Sequence, residues 1–378
     1  MLHADLAQMA ALRRALHQIP EQGNEEFKTH DFLVDYLSRL PGFEVKTLIT
    51  TGVKATLRVP GAQRTIAFRS DIDALAISER TGLPFASKHP GCMHACGHDG
   101  HMTCLLTLAS LLSAQRDLLE VNVVLIFQPA EESIGGARRM IEAGAFTDPK
   151  VDEVYGLHLM PDIPQGKIGL SEGPVMAGTT EFDLVIRGRS AHGAMPYLGV
   201  DAINAAGMIV GQIQQVITRT LPAKDMALVS FGRIEGGTRR NILADEVRLE
   251  GIFRTFTDEI YQRTRQGIEA VLRGAEAAWG VSCALQDVAV YPPVVNHPMT
   301  TRRVRELVDP ALLTPVEPYM ISEDFSEYQR QVPGTFLFLG VRNEQLGMTS
   351  PLHADSFNFD ESALALAVAL YQRLVGLN

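Results

Sequence analysis

The sequence predicts an α/β protein with a mostly parallel mixed sheet flanked by helices, interrupted by an inserted ferredoxin-like α+β domain. Three observations carry that prediction. Apolar strands alternate with amphipathic helices through residues 1–176, the pattern of a parallel sheet with helical crossovers. Over residues 177–290 the order changes to βαββαβ, which is a complete ferredoxin-like unit. After Tyr291-Pro292-Pro293 the alternating pattern resumes. Residues 1–176 and 291–378 therefore form one domain, and residues 177–290 a second one inserted into it. A chain of 378 residues also exceeds what one hydrophobic core usually organises.

The elements follow in order. Residues 5–17 have helical periodicity in Leu6, Met9, Leu12 and Leu16 and stop before Pro20. Residues 27–40 form a second amphipathic helix with Phe27, Leu33, Val34, Leu37 and Leu40 facing inward, ended by Pro41-Gly42. Strands are expected at 43–49, 53–59 and 65–69, the last running into Asp71-Ile72-Asp73. An apolar helix spans 102–112. A buried strand at 121–127 ends in Gln128-Pro129-Ala130-Glu131-Glu132, and a helix follows at 136–143. A strand at 151–157 ends at His158. Three apolar strands thus release polar residues at their carboxyl ends, where parallel sheets gather ligand groups. The insertion reads as strand 180–187, helix 200–218, strands 226–234 and 246–256, helix 257–279 and strand 281–290. A helix near 300–307, a strand at 335–339 and a helix at 361–374 close the chain.

Composition excludes several functions. The formal charge is −10, and no basic stripe is present, which argues against a nucleic-acid partner. No apolar run approaches the ~20 residues of a membrane span. Residues 1–14 read as an amphipathic helix rather than a signal peptide, so the expected compartment is the cytoplasm. Three of the four cysteines fall within residues 92–104, a clustering that points to metal binding or reactivity rather than a disulfide framework.

Residues 90–101 hold three of eleven histidines and two of four cysteines. Cys96 and His98, one residue apart, can aim at one metal; thiolate with imidazole suits zinc, and imidazole with carboxylate also suits manganese or cobalt. Cys92, His94 and His101 fit packing or a supporting role. Glu131 and Glu132 are adjacent, so one can bind metal while the other faces a water, the core of metal-assisted hydrolysis. Taken alone, His158 is more often a core histidine, and His353 more often a loop histidine without a role. His192 lies in a loop of the insertion. Arg254, at the end of an apolar strand, could grip a carboxylate, but taken alone a surface ion pair is its better explanation. Gly236-Gly237-Thr238 lacks the spacing and the Lys-Ser/Thr pair of a phosphate loop. His3, His17, His30, His89 and His297 have no partner in the sequence.

Six motifs occur in a fixed order: Ser70-Asp71-Ile72-Asp73-Ala74-Leu75, residues 94–101, Gln128-Pro129-Ala130-Glu131-Glu132, Gly156-Leu157-His158, Ala191-His192-Gly193-Ala194-Met195-Pro196 and Ser322-Glu323-Asp324-Phe325. Together they resemble the M20 metallopeptidase/amidohydrolase family, from about His17 to Asp360. The branch they resemble contains hippurate hydrolases, auxin-conjugate hydrolases and N-acetyldiaminopimelate deacetylases. The resemblance implies two divalent metal ions (zinc, manganese, cobalt or nickel), with Cys96, His98, Glu132, His158 and His353 at the ligand positions. It implies Glu131 as general base and Asp71 as the aspartate orienting the metal site. His192 matches a lid histidine that steadies the oxyanion, often in the partner subunit of a dimer. Asn241 and Arg254 match lid residues that hold the substrate carboxylate. The implied activity is metal-dependent hydrolysis of N-acyl amino acids by a cytoplasmic homodimer that pairs through the inserted lid domain. The alternatives are N-acetyldiaminopimelate deacetylation specifically, a dipeptidase or aminoacyl-peptide hydrolase, and a non-catalytic metal-dependent binding protein. The chain departs from many relatives at Ala76 and at Leu159-Met160-Pro161, positions able to reshape the acyl pocket.

Overall fold

A computed structural model describes residues 4–133, 135–222 and 225–377. It contains two compact units. The first runs up to Gly173 and takes in Val295–Glu317 and the chain from Asp324 onward; the second is Pro174–Val294 with Pro318–Glu323.

Helix α1 (Leu6–His17) is capped by Asp5, whose carboxylate accepts from the amides of Ala7 and Gln8. Helix α2 (Phe27–Ser38) buries Thr29, Leu33 and Leu37, four residues apart on one face. Phe27, expected to face inward, is 55% exposed. Standing two positions before Thr29 turns it about 200° from that stripe. Strands β1 (Phe43–Leu48), β2 (Gly52–Leu57) and β3 (Thr65–Asp71) follow. Helix α3 (His98–Ala114) starts earlier than apolar periodicity suggests, because its polar first turn (His98, Asp99, His101) is itself buried. Then come β4 (Asn122–Gln128), α4 (Ala137–Glu142), β5 (Glu153–Pro164), β6 (Ile168–Gly169) and β7 (Gly173–Met176). The second unit contributes β8 (Gly178–Arg187), α5 (Ala202–Thr220), β9 (Ala227–Gly236), β10 (Glu246–Thr255), α6 (Asp258–Trp279) and β11 (Ser282–Tyr291). The chain ends with β12 (Val294–Asn296), α7 (Pro298–Leu307), β13 (Leu313–Thr314), α8 (Ser326–Gln329), β14 (Gly334–Arg342) and α9 (Leu364–Leu374).

The large unit is built on an eight-stranded mixed sheet in the order β1-β2-β4-β3-β5-β14-β6-β13. Its centre is parallel: β3 runs with β4 and β5, and β5 with β14. Asp71 and Gln128 stand side by side at the carboxyl ends of β3 and β4. His158 does not end its strand, as the sequence suggested. β5 leaves β3 after Gly156 and continues along β14 to Pro164, pairing His158 with Phe338. His158 is therefore level with Asp71 although the strand goes on. Helix α3 packs on β3 and against α1 and α9. Its Leu105, Leu108 and Leu112 join Phe68, Leu364 and Tyr371 in the core. Each fully buried leucine there contributes roughly 1.5–3 kcal/mol relative to exposure.

The second unit is a four-stranded antiparallel sheet, β11-β8-β10-β9. Helices α5 and α6 pack together on the face carrying Phe182, Leu184, Ile186, Val247 and Leu249. Pro318–Glu323 belongs with it because Tyr319 exchanges backbone hydrogen bonds of 2.9 Å with Val175 and Ala177. Among the described residues no helix is long and apolar enough to cross a membrane.

Candidate metal centre

The centre starts from a turn that glycine makes possible. Met93 and Leu75 exchange two backbone hydrogen bonds of 3.0 Å, which hold the approach to Cys96 beside the end of β3. Gly97 then adopts a left-handed φ of +85° at the N-cap of α3. A side chain there would sit 2.9 Å from Leu159 Cδ1, so both conformation and space call for glycine. The turn delivers Cys96 on one side and His98, the first residue of α3, on the other.

Hydrogen bonds to the imidazoles of His98 and His158 fix which nitrogen faces the centre. His98 Nδ1 donates to the Asp73 carbonyl at 2.8 Å, and its Nε2 is buried without a hydrogen-bond partner among the described residues. His158 Nδ1 donates to the Leu159 carbonyl at 2.7 Å, leaving Nε2 3.3 Å from Cys96 Sγ. His353 takes a left-handed φ of +64°, and its amide donates to the Ala95 carbonyl at 2.9 Å. Its Nε2 stands 3.3 Å from Cys96 Sγ and 3.1 Å from Glu132 Oε1. Such outer hydrogen bonds set tautomer and ring direction at metal-ligating histidines.

The acidic corner after β4 is shaped by Ala130, another non-glycine residue with positive φ (+60°). That conformation costs about 1–2 kcal/mol, so the surroundings must hold it. The Glu132 amide donates to Asp73 Oδ2 at 2.9 Å, and the Ala130 amide to Glu26 Oε1 at 2.9 Å.

Five of the predicted residues thus meet. Cys96, His98 and His158 present donor atoms within 4.8 Å of one another, and so do Cys96, Glu132 and His353. The two groups share Cys96. A third group joins His98 to Glu131 and Glu132. The electrostatics ask for cations. Burial, then Glu132 and Glu131, push the Cys96 thiol well above its ordinary range. Burial opposes charge on His98, but Asp71, Asp73 and Glu132 outweigh it and lift its pKa to about 10. Burial would raise Glu132, but His353 and His98 hold it at about 2. Anionic donors crowded around a soft sulfur and free imidazole nitrogens fit divalent metal ions, which reverse the burden on the thiol.

Asp71 lies behind this set. His101 Nε2 accepts the Leu159 amide at 3.0 Å, so its Nδ1 donates to Asp71 Oδ1, 2.6 Å away. Asp71 Oδ2 accepts from Arg69 at 2.9 Å and stands 3.6 Å from His98 Nε2. Burial would raise its carboxyl, but His101, His98 and Arg69 hold it well below the usual range. Cys92 and His94 are packing residues; burial holds the His94 pKa at about 3.

Several participants carried no assigned role in the sequence. Arg69 is fully buried and also donates to Gln128 at 2.9 Å and to Asp324 at 2.9 Å. An arginine inside an otherwise apolar strand before Asp-x-Asp was the available signal. His17, with no sequence partner, bonds Asp99 at 2.7 Å, and Arg13 bonds the same carboxylate at 2.8 Å. His3 lies outside the described residues.

The second unit separates the other three residues. The His192 backbone bridges Ile242, and the Gly193 amide donates to the Asn241 carbonyl at 2.8 Å, so His192 and Asn241 are neighbours, both exposed. Arg254 is half buried, paired in register with Thr179 and Leu228, and its Nη1 is buried without a hydrogen-bond partner among the described residues. Glu246, at the other end of β10, pairs with Arg187. The eight residue steps between these positions span about 26 Å of strand.

The sequence profile of peptidase family M20/M25/M40 matches residues 67–376. An N-acetyldiaminopimelate deacetylase of Lacticaseibacillus paracasei is 40% identical, over 96% of this chain and 95% of its own. An N-acetyl-L-cysteine deacetylase of Bacillus subtilis is 38% identical, over 95% of this chain and 85% of its own. A crystal structure of a Bacillus subtilis dinuclear metal-binding peptidase from the M20 family superposes with a TM-score of 0.86 at 34% identity, covering 98% of this chain and 97% of that one.

Proposed function

Because the chain belongs to peptidase family M20/M25/M40, we propose that it hydrolyses the amide bond of N-acyl amino acids, releasing an amino acid and a carboxylic acid. The observation that carries this is the pair of donor groups sharing Cys96, with Glu131 beside them. Two divalent ions fit these groups, with Cys96, His98, Glu132, His158 and His353 as ligands; zinc, manganese, cobalt and nickel all suit the donor set. Bound there, such ions supply Lewis acidity toward the amide carbonyl and acidify a water.

The chain's own residues do the rest. Glu131 accepts the proton of the attacking water and delivers it to the leaving amine nitrogen. Asp71, held anionic by Arg69 and His101, orients the ligand cluster. His192 donates to the oxyanion of the tetrahedral intermediate. The planar fork of Arg254, with its unpaired Nη1, grips the substrate carboxylate, assisted by Asn241.

The separation within the second unit supports a homodimer. No small N-acyl amino acid spans the ~26 Å between the Arg254 end of β10 and the His192–Asn241 end. The two ends therefore serve one substrate only if they come from different copies. Strand β9 offers the edge for pairing. It bonds β10 alone among the described strands, and it exposes Leu228 (41%) and Ile234 (60%) beside Ile203 (52%) and Met208 (44%) of α5. An apolar free edge of this kind is a template for strand addition. Four unpaired cysteines fit a reducing cytoplasm.

Relatives named for N-acetyl substrates make an N-acetyl amino acid the first choice. The test is a hydrolysis screen with each metal over N-acetyl, N-benzoyl and indoleacetyl amino acids, acetyl- and succinyl-diaminopimelate, and dipeptides. Turnover of N-acyl amino acids ahead of dipeptides is expected. A preference for dipeptides would make the chain a peptidase, and no turnover of any amide would sink the proposal.

A further inference from the structure

We propose that Glu26 is a positioning residue for this hydrolysis, holding the backbone corner from which Glu131 works. The inference rests on the reading of Glu131 as the base. Glu26 is fully buried at the start of α2, far from Glu131 in sequence. Its side chain does not cap the helix. It turns inward, where Oε1 accepts the Ala130 amide at 2.9 Å and Oε2 accepts the Thr51 hydroxyl at 2.6 Å. Both carboxyl oxygens are thus engaged by protein donors, and Glu26 belongs to none of the candidate ligand groups.

The Ala130 amide is the strategic one. Ala130 holds φ +60°, a conformation alanine rarely adopts. On the other side of Glu131, the Glu132 amide donates to Asp73 Oδ2 at 2.9 Å. The amides of Ala130 and Glu132, the residues on either side of Glu131, are therefore held by two buried carboxylates from two other parts of the chain. The loop before Glu26 backs the same corner. A Cβ on Gly23 would lie 2.5 Å from Ser133 Oγ and 3.0 Å from Ala130 Cα. Arg139 also donates to Asn24 at 2.5 Å, and the Ala74 amide to the Glu21 carbonyl at 2.8 Å. Residues 21–26 consequently tie the end of β3 to the end of β4. A general base must sit within hydrogen-bond reach of its proton, and a shift of about 1 Å can cost on the order of 100-fold in rate.

Burial also pushes the Glu26 carboxyl up. A neutral isostere should therefore do its work: in Glu26→Gln the amide oxygen still accepts from Ala130 and the amide nitrogen faces Thr51. Glu26→Ala removes the acceptor, and Glu26→Asp shortens its reach by one methylene. The experiment compares these three with wild type and Glu131→Gln on the best N-acetyl substrate, with bound metal counted in each. In Glu26→Ala and Glu26→Asp, kcat should fall at least about tenfold, with KM within about threefold and metal retained. Glu26→Gln should recover kcat to within about threefold of wild type. A kcat within about twofold of wild type, in whichever of Glu26→Ala and Glu26→Asp folds with its metals bound, overturns the positioning role. So does a Glu26→Gln as slow as Glu26→Asp. An active Glu131→Gln would instead overturn the reading of the base, a result separable from the first.

Discussion

Asp71 shows how one side chain couples the chemistry to the fold. It touches Arg69, His101 and His98, and Arg69 in turn reaches Asp324. Replacing Asp71 with Asn keeps its shape but removes the charge that holds His98 and His101 in place. Metal affinity should weaken by about 10–100-fold, as read by competition with a chelator. The network was only partly legible in the sequence. Candidate ligands at strand ends announce themselves by place, but the Arg69–Asp324 contact joins residues 255 apart, and no local pattern encodes it. Glu26 is hidden in the same way: among the acidic residues of the N-terminal loop nothing marks the one that turns inward. A second residue-scale effect concerns pH. Burial would raise Glu79, but His17, Thr81 and the Ser87 amide hold its pKa at about 2 against an ordinary 4.5. Its contribution to stability is therefore complete above pH 4.5 and lost as the pH falls toward 2. Glu79→Gln should cost about 1–2 kcal/mol at pH 7 and flatten the acid limb of a denaturation series. His17 behaves oppositely: burial opposes its charge, but Asp99 outweighs it and raises the pKa, so its share is lost as the pH rises through that raised value.

Among the elements, the turn into α3 is the most constrained. Gly97→Ala must place a side chain at φ +85° and 2.9 Å from Leu159 Cδ1. Destabilisation of about 2–3 kcal/mol is expected in urea titration, together with loss of bound metal, because Cys96 and His98 flank the turn. A loss of stability with full metal content would separate the turn from the site. The periodicity of α3 was readable only from residue 102 on, since its first turn is polar and buried for the sake of the centre. The extension of β5 past His158 leaves no mark in the sequence for a related reason. Parallel strands of unequal length are level at a point that only register reveals. Phe27 misled because an apolar residue at a helix start looks inward until the stripe of Thr29, Leu33 and Leu37 fixes the face.

For the molecule as a whole, the α/β architecture followed from the alternation of strands and helices, while the proposed assembly depends on an interface that a single sequence does not display. The proposed dimer makes a quantitative prediction. His192→Ala and Glu131→Gln should each be inactive, and refolding or subunit exchange of their mixture should restore about a quarter of wild-type activity, since half the random pairs carry one complete site. No recovery would place His192 in its own chain's site or outside the chemistry. Ile234→Lys on the β9 edge should shift sedimentation toward monomer and lower kcat by about 100-fold or more, the scale of losing an oxyanion donor.

The central claim is that the cluster around Cys96 holds metal for amide hydrolysis while Glu131 moves the proton. Its most direct test is Glu131→Gln beside wild type, with metal content and turnover of an N-acetyl amino acid measured on the same preparations. The account predicts two metal equivalents in both proteins and turnover lowered by about 100-fold or more in the variant. Near-normal turnover in Glu131→Gln, or wild-type protein that hydrolyses the substrate after its metal has been stripped, would contradict it.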